Sequence, residues 1–150
     1  MCVAVVSRAA FASARKGLIH DKRLTALLHE CGIEAPLVDQ LRIGPHLLVH
    51  GDHCDGAWGL REFGEAEARD GRIICGHAHP AIRVSDGVAT SAKCPCFAIA
   101  GRLIVLPAFT AWSAGTDIRS SDSFISEFAE AAPLEMAVAI VADKLLPVRL

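Results

Sequence analysis

The chain has 150 residues, 52% of them hydrophobic, and a formal net charge of −2. This length and apolar content are enough for one folded domain with its own core, so a disordered chain is excluded. The basic residues form no long run, so the charge pattern does not indicate a nucleic-acid-binding surface. No apolar segment reaches the roughly 18 residues that a membrane span needs.

The N-terminal half is predicted to contain a strand, a helix and two further strands. Residues 3 to 6 form a short apolar run that favours a strand. Residues 21 to 31 carry apolar side chains at helical spacing, and Gly32 is a stop signal for that helix. Residues 37 to 43 and 47 to 50 predict two strands around a Gly-Pro turn, because proline is kept out of strand interiors.

The C-terminal half is predicted to be mainly β, with two helices. Helices are expected over residues 60 to 68 and from about 120 to 132, where Pro133 ends the second one. The alternation of apolar runs with Gly and Asp-Gly turns predicts strands at 73 to 74, 81 to 85, 96 to 100, 102 to 106, 136 to 142 and 145 to 149. Neither a repeat nor a long linker divides the chain, so we expect a single domain over residues 1–150.

The six cysteines lack the spacing of a small disulfide-bonded domain; they lie at positions 2, 31, 54, 75, 94 and 96. We therefore expect reduced thiols and a cytoplasmic protein. Cys94 and Cys96 form a single CxC motif. Because a thiolate metal site normally uses a second cysteine pair, an ordinary strand segment is favoured there over metal binding or thiol chemistry.

Two apolar runs break at a glycine that lies beside histidine. The first ends in His50-Gly51, and the second continues into Gly-His-Ala-His-Pro at residues 76 to 80. Open α/β sheets bind ligands at the edge where buried strands end, so His50, His77 and His79 are candidate metal ligands. The competing interpretation is a polar turn after a buried strand.

These segments, in this order, resemble the calcineurin-like metallophosphoesterases. The likeness is nearest to the branch that contains the DNA-ligase-associated phosphoesterases and their archaeal relatives, and it covers about residues 17 to 119. Four segments match the family pattern, namely His20-Asp21 for a GNHD motif, Leu48-Val49-His50-Gly51 for an LLxHG strand end, residues 76 to 80 for a GHxHP turn, and Leu106-Pro107-Ala108-Phe109 with the later Gly115.

The resemblance implies an α/β fold, a partial four-layer α-β-β-α sandwich that lacks its N-terminal strands. It implies hydrolysis of phosphomonoesters or phosphodiesters with divalent cations, of which Mn²⁺, Zn²⁺, Fe and Ni suit a His-rich site. By this resemblance His50 and His77 bind one metal and His79 the other. His20 is the histidine that assists the leaving group, and Asp21 is the carboxylate that orients it. Whether the phosphoester belongs to a nucleic acid, a nucleotide or a small molecule stays open.

The chain also departs from the family pattern. The upstream Asp-x-His and Gly-Asp motifs are missing, and Ile19 stands where the family has the asparagine of GNHD, itself a metal ligand. Intact family members hold two metals, and we expect one or none here. The alternative function is therefore a catalytically inactive remnant, or a domain that binds a metal or a partner. A sheet without its first strands would invite self-association or a complementing chain.

Two local alternatives remain. His20 and Asp21 are equally well explained by a surface histidine beside a helix cap. In a different alignment, Gly51-Asp52-His53 is the variant GNH motif, which supplies Asp52 as a carboxylate ligand but leaves no histidine between His53 and His77 for the His-Gly motif.

Overall fold

The computed structural model describes residues 4–5, 26, 29–32, 37–38, 40–51, 70–109, 113–120 and 133–150. Strands dominate this part of the chain, and its helical residues are Ala26, His29 and Glu30. The described fold is thus a mixed, sheet-dominated one, which bears out the expected class only in this coarse form. The helices predicted over 60 to 68 and 120 to 132 lie outside the described residues. None of the described helical residues belongs to a helix that is long and apolar enough to cross a membrane.

The strands of the described residues follow one another in this order: β1 (Ala4–Val5), β2 (Leu37–Val38), β3 (Gln40–Ile43), β4 (His46–Val49), β5 (Ile73–Cys75), β6 (Pro80–Ser85), β7 (Ser91–Ala100), β8 (Leu103–Val105), β9 (Thr116–Asp117), β10 (Met136–Val141) and β11 (Lys144–Arg149). Strands β1 and β2 pair in parallel as a separate two-stranded sheet. The other nine strands are connected, in the order β11-β10-β7-β8-β5-β4-β3, with β6 paired to β7 and β9.

Parallel pairing joins β4, β5 and β8 at the centre of this arrangement. Leu47 is the register partner of Ile73, and Ile73 is in turn the partner of Leu103. All three side chains are fully buried. The three strands are short apolar runs, as expected for parallel strands in the interior of a sheet, and their carboxyl ends lie at the same edge.

Strand β7 belongs to two sheets. Its first half, Ser91 to Pro95, pairs with β6, whereas its second half pairs with β10 and β8. The strand is longer than predicted, because it begins at Ser91 rather than at Cys96. The exposed residues at its start hid this extension, which is stabilised by pairing with β6 and not by burial. From Cys94 onwards every second side chain is buried, which is the period of a strand.

The buried side chains form two clusters, one around Ile73, Leu103 and Val105 and the other around Ile82 with Cys94 and Cys96. The prediction that the CxC motif is an ordinary strand segment is confirmed, since both cysteines lie in β7 with their side chains buried. Burial raises the pKa of the Cys96 thiol to about 12, so this sulfur stays protonated near neutral pH.

The predicted helix end at Gly32 and the predicted C-terminal hairpin are both present, and the turn of the hairpin is shifted by one residue. The end of the first helix at Gly32 is confirmed, since the Gly32 amide donates a hydrogen bond of 2.9 Å to the His29 carbonyl. The closing hairpin turns at Ala142 and Asp143 rather than at Asp143 and Lys144, because Val141 pairs directly with Lys144. Ala142 takes a left-handed backbone angle, φ 53°, to make that tight turn.

Candidate metal centre

The ends of β4 and β5 bring two of the predicted histidines together. Val49 and Cys75 are register partners in the parallel pair, so the residues that follow each strand leave the sheet side by side. The Gly76 amide donates a hydrogen bond of 2.9 Å to the His50 carbonyl, which ties the two strand ends to each other. His50 and His77 therefore meet at one edge of the sheet, as the two glycine-terminated runs had predicted.

The rings of His50 and His77 are within hydrogen-bond distance. His50 Nε2 lies 3.2 Å from His77 Nδ1, and the ring centroids are 5.1 Å apart with the planes inclined by 60°. Two nitrogens bound to one zinc ion at about 2.0–2.1 Å and a tetrahedral angle are roughly 3.3 Å apart. The separation thus suits one shared hydrogen bond or one shared cation.

Gly51 explains why a glycine follows His50. Its φ of 103° is a backbone conformation that other residues rarely adopt. A Cβ at this position would lie 2.9 Å from the Gly76 carbonyl oxygen and 3.3 Å from Cys75 Cβ. Only glycine therefore allows the chain after β4 to pass close to the end of β5, and this close approach sets the position of His50.

The turn after β5 holds both of its histidines in a left-handed conformation. His77 has a φ of 64° and His79 a φ of 47°. For a residue with a Cβ such angles cost about 1–2 kcal/mol, and they persist only where the surrounding structure imposes them. Here the Ala78 amide donates 2.8 Å to the Gly76 carbonyl, and the Thr116 amide donates 2.8 Å to the His79 carbonyl. The histidine turn is thereby fixed from both sides.

His79 contacts a partner of its own. Its Nδ1 lies 2.9 Å from Ser113 Oγ, and that oxygen also accepts a bond of 3.4 Å from the Gly115 amide. Gly115 allows this approach, because a Cβ there would lie 2.8 Å from Ala81 Cβ and 2.9 Å from the His79 carbonyl oxygen. Sequence reasoning missed Ser113. The signal available was the nearby glycine, which marks a close backbone approach but does not identify the serine.

All three histidines line one open pocket of about 290 Å³. The other described residues of its lining are glycine or apolar; they are Leu48, Val49, Ile74, Gly76, Leu106, Pro107 and Phe109. The Leu106 amide donates a hydrogen bond of 2.7 Å to the Cys75 carbonyl, which anchors the end of β8 to the histidine turn. Across the described ranges, no three His, Cys, Asp or Glu side chains surround a common point. The close pair is therefore His50 with His77, and His79 faces the same pocket.

The remaining histidines of the described residues have other surroundings. His46 Nδ1 accepts a hydrogen bond of 3.1 Å from the Arg72 amide, which links the start of β4 to the residue before β5. His29 is exposed, which confirms the prediction of a surface polar position. His20 and Asp21 lie outside the described residues, and so do Asp52 and His53 of the alternative alignment.

Comparisons of the chain with protein-family models, curated proteins and solved structures gave no significant match.

Proposed function

We propose that the chain is a metal-dependent protein of the calcineurin-like phosphoesterase type, which hydrolyses phosphomonoesters or phosphodiesters at its histidine pocket. One observation carries the proposal: His50 Nε2 and His77 Nδ1 lie 3.2 Å apart at the ends of neighbouring parallel strands. A polar turn without a function would not need two imidazoles from separate strands to meet, nor a left-handed backbone conformation at one of the two histidines.

The described donor set fits one divalent cation. His50 and His77 would hold it, because the separation of their nitrogens is close to the roughly 3.3 Å expected for two imidazoles on one tetrahedral ion. Imidazole suits Zn²⁺, Fe and Ni, and Mn²⁺ is the hardest of the four proposed ions. A second cation near His79 would need carboxylate ligands, which the described residues do not supply around a common point. We therefore assign one cation to this part of the chain.

A cation held there would act as a Lewis acid on a phosphoryl oxygen and raise the acidity of water beside it. The chain's own residues bind and orient the ester. The turn from Gly76 to Pro80 fixes the His77 and His79 rings relative to the strand ends. Because Ser113 engages Nδ1 of His79, the Nε2 atom is the ring nitrogen left to contact a phosphoryl or leaving-group oxygen. His20 and Asp21 keep the roles that the family resemblance implies for them: His20 assists the leaving group, and Asp21 orients the His20 imidazole.

The finer fold assignment belongs to the same proposal. We infer a single α-β-β-α domain over residues 1–150. Its support is the parallel β4-β5-β8 core and the second sheet that branches from β7. The order of the described strands ends at β3 and β11, and an edge strand without a partner would associate with a second copy or with a complementing chain. Size-exclusion chromatography with light scattering tests this inference, and a stable monomer at all concentrations would contradict it.

The second candidate is a domain that binds a metal or a partner without hydrolysis. It is favoured by Ile19 in place of the GNHD asparagine and by the two-histidine cluster. Such a site would bind one cation weakly and turn over no ester.

Hydrolysis of p-nitrophenyl phosphate and bis-p-nitrophenyl phosphate with added Mn²⁺ separates the two candidates. We expect turnover by the wild type and a loss of at least tenfold in His77→Ala. The exposed His29 provides the matched control, since His29→Ala removes an imidazole outside the pocket lining and should leave the rate unchanged. Equal rates in wild type and His77→Ala would refute a phosphoesterase site at this turn. Cation binding in a calorimetric titration without any turnover would support the second candidate.

A further inference from the structure

The described walls of the histidine pocket carry no fixed charge. Apart from His50, His77 and His79, every lining residue of the described chain is apolar or glycine, and none is Lys, Arg, Asp or Glu. A polyphosphate would leave anionic groups against these walls without partners. Burial of unpaired polar groups is unfavourable. The described walls therefore favour an uncharged group beside the phosphate.

Phe109 stands out on the rim of this pocket. It is the most exposed large apolar side chain of the described residues, with a relative exposure of 104%, and Leu106 beside it is 38% exposed. Both follow β8, whose end is anchored to the histidine turn by the bond between the Leu106 amide and the Cys75 carbonyl. An aromatic ring three residues beyond a fixed point, next to a site for phosphate, offers a flat apolar surface to whatever enters.

The size of the pocket suits one ring together with a phosphate group. A cavity of about 150 Å³ is already large enough for benzene. The pocket has about 290 Å³, so space for a tetrahedral phosphate remains beside such a ring.

We propose that the phosphoester substrate carries an uncharged, planar aromatic group, which packs on Phe109 and the neighbouring Leu106 and Pro107 while the phosphate faces the histidines. This inference rests on the phosphoesterase function proposed above. Phe109 is then a specificity-determining contact. The aromatic group can be a simple aryl ring or a nucleobase, since both offer the same planar apolar surface.

Calorimetric titration with two inert phosphonates tests the inference. Phenylphosphonate and methylphosphonate carry the same charged head and differ in the aromatic ring. We expect the wild type, with or without excess Mn²⁺, to bind phenylphosphonate about tenfold more tightly, because ring packing adds to the binding energy. Phe109→Ala should reduce this preference to less than threefold, and Phe109→Leu should retain part of it.

Val88 supplies the matched control. It is 91% exposed at the tip of the β6–β7 hairpin and does not line the pocket, so Val88→Ala should keep the full preference. Both substituted side chains are exposed, so both variants should fold. Equal affinity of the wild type for the two phosphonates, no binding of phenylphosphonate in either condition, or an unchanged preference in Phe109→Ala would overturn the inference.

Turnover measurements keep this inference distinct from the proposed function. If the wild type hydrolyses phenyl phosphate and glycerol phosphate equally well, the phosphoesterase function stands and the aromatic preference fails. If it hydrolyses neither but shows the Phe109-dependent preference for phenylphosphonate, the pocket specificity stands and hydrolysis fails. A comparison of adenosine monophosphate with phenyl phosphate then distinguishes a nucleobase from a simple aryl group, since the tighter ligand identifies the source.

Discussion

Ser113 Oγ lies 2.9 Å from His79 Nδ1, across a junction where the backbone of β9 pairs with the start of β6. The contact orients one imidazole of the pocket from a segment more than thirty residues away in sequence. A hydroxyl in this position selects which ring nitrogen of His79 faces the pocket, because the bonded nitrogen is no longer available. Ser113 is thus a positioning residue.

Removal of this hydroxyl should weaken the pocket without unfolding the chain. In Ser113→Ala we expect phosphate affinity to fall about tenfold, which is the lower end of the effect of losing a residue that orients a site histidine. Ser113→Thr should restore most of it. Calorimetry measures the affinity, and circular dichroism checks the fold. The exposed Ser120 offers the control Ser120→Ala, and an equal loss in both alanine variants would contradict a positioning role.

His50 and His77 should behave as one unit. If both imidazoles hold the same cation, His50→Ala and His77→Ala should each abolish most of the calorimetric signal with Zn²⁺ or Mn²⁺. The double variant should then be little worse than either single one, because the second loss removes nothing further from a broken site. Additive, independent losses of affinity would show that the two rings act on separate ligands.

Gly51→Ala should destabilise the fold and displace His50. The new Cβ would meet the Gly76 carbonyl oxygen at 2.9 Å, and the φ of 103° is unfavourable for alanine. Strain of this kind costs about 1–3 kcal/mol, measurable as a lower midpoint in urea. Gly44→Ala is the control, since Gly44 also has a positive φ, 57°, but a Cβ there meets nothing within 4 Å. An equal loss in the two variants would contradict a special close approach at Gly51.

The buried cysteines should resist alkylation while the protein is folded. Burial raises the pKa of Cys96 to about 12, and the thiolate is the reactive form. After a short pulse of iodoacetamide at pH 8, peptide mapping should find Cys31, which is exposed, modified well before Cys96. In urea the two should react alike. Rapid alkylation of Cys96 in the folded protein would contradict this prediction and favour a thiol-based function for the CxC motif.

Asp86 should make stability depend on pH. Hydrogen bonds from the amides of Val88 and Thr90 hold its pKa below the usual 3.8. The carboxylate form is favoured in the folded state, so its stabilisation is fully present above the unfolded pKa of about 3.9 and is lost as pH falls through the lower folded pKa. The difference in unfolding free energy between wild type and Asp86→Ala should therefore be constant above about pH 5 and shrink in acid.

Asp86→Asn is the informative companion variant, because it keeps an acceptor oxygen for the turn but cannot ionise. Its unfolding free energy should lie between those of the wild type and Asp86→Ala at neutral pH. Below pH 4 it should approach the wild type. A gap between wild type and Asp86→Ala that persists undiminished at low pH would contradict the role of the carboxylate charge.

The strand ends of the site could be predicted from sequence because each is marked locally. The apolar runs before His50 and Gly76 indicate buried strands, and each glycine marks a break. Their convergence follows from a general property of parallel strands. Ser113 could not be found in this way, because its place depends on the β6–β9 register between Pro80 and Thr116. Such nonlocal pairing leaves no periodic trace in sequence.

The extra length of β7 has the same origin. Residues 91 to 93 are exposed, so no alternation of apolar and polar residues marks them as a strand. They nevertheless pair with β6, beginning at the register pair of Ser91 with Ser85. Pro95 lacks an amide donor, which is unusual inside a strand. In the structure Pro95 pairs with Ala81 beside the point where β7 passes from one sheet to the other.

Strand β7 belongs to both sheets. Local unfolding of β7 in one sheet would therefore also remove a strand from the other sheet. The β7 side chains pack into the two separate clusters, Ala98 and Ala100 in one and Cys94 and Cys96 in the other. The amides of Ala98 and Ile99, which have register partners in both β10 and β8, should therefore exchange with deuterium only through global unfolding, whereas those of the edge strand β11 exchange through local fraying. The two clusters would then melt as a single cooperative unit, with β7 as its slowest-exchanging strand.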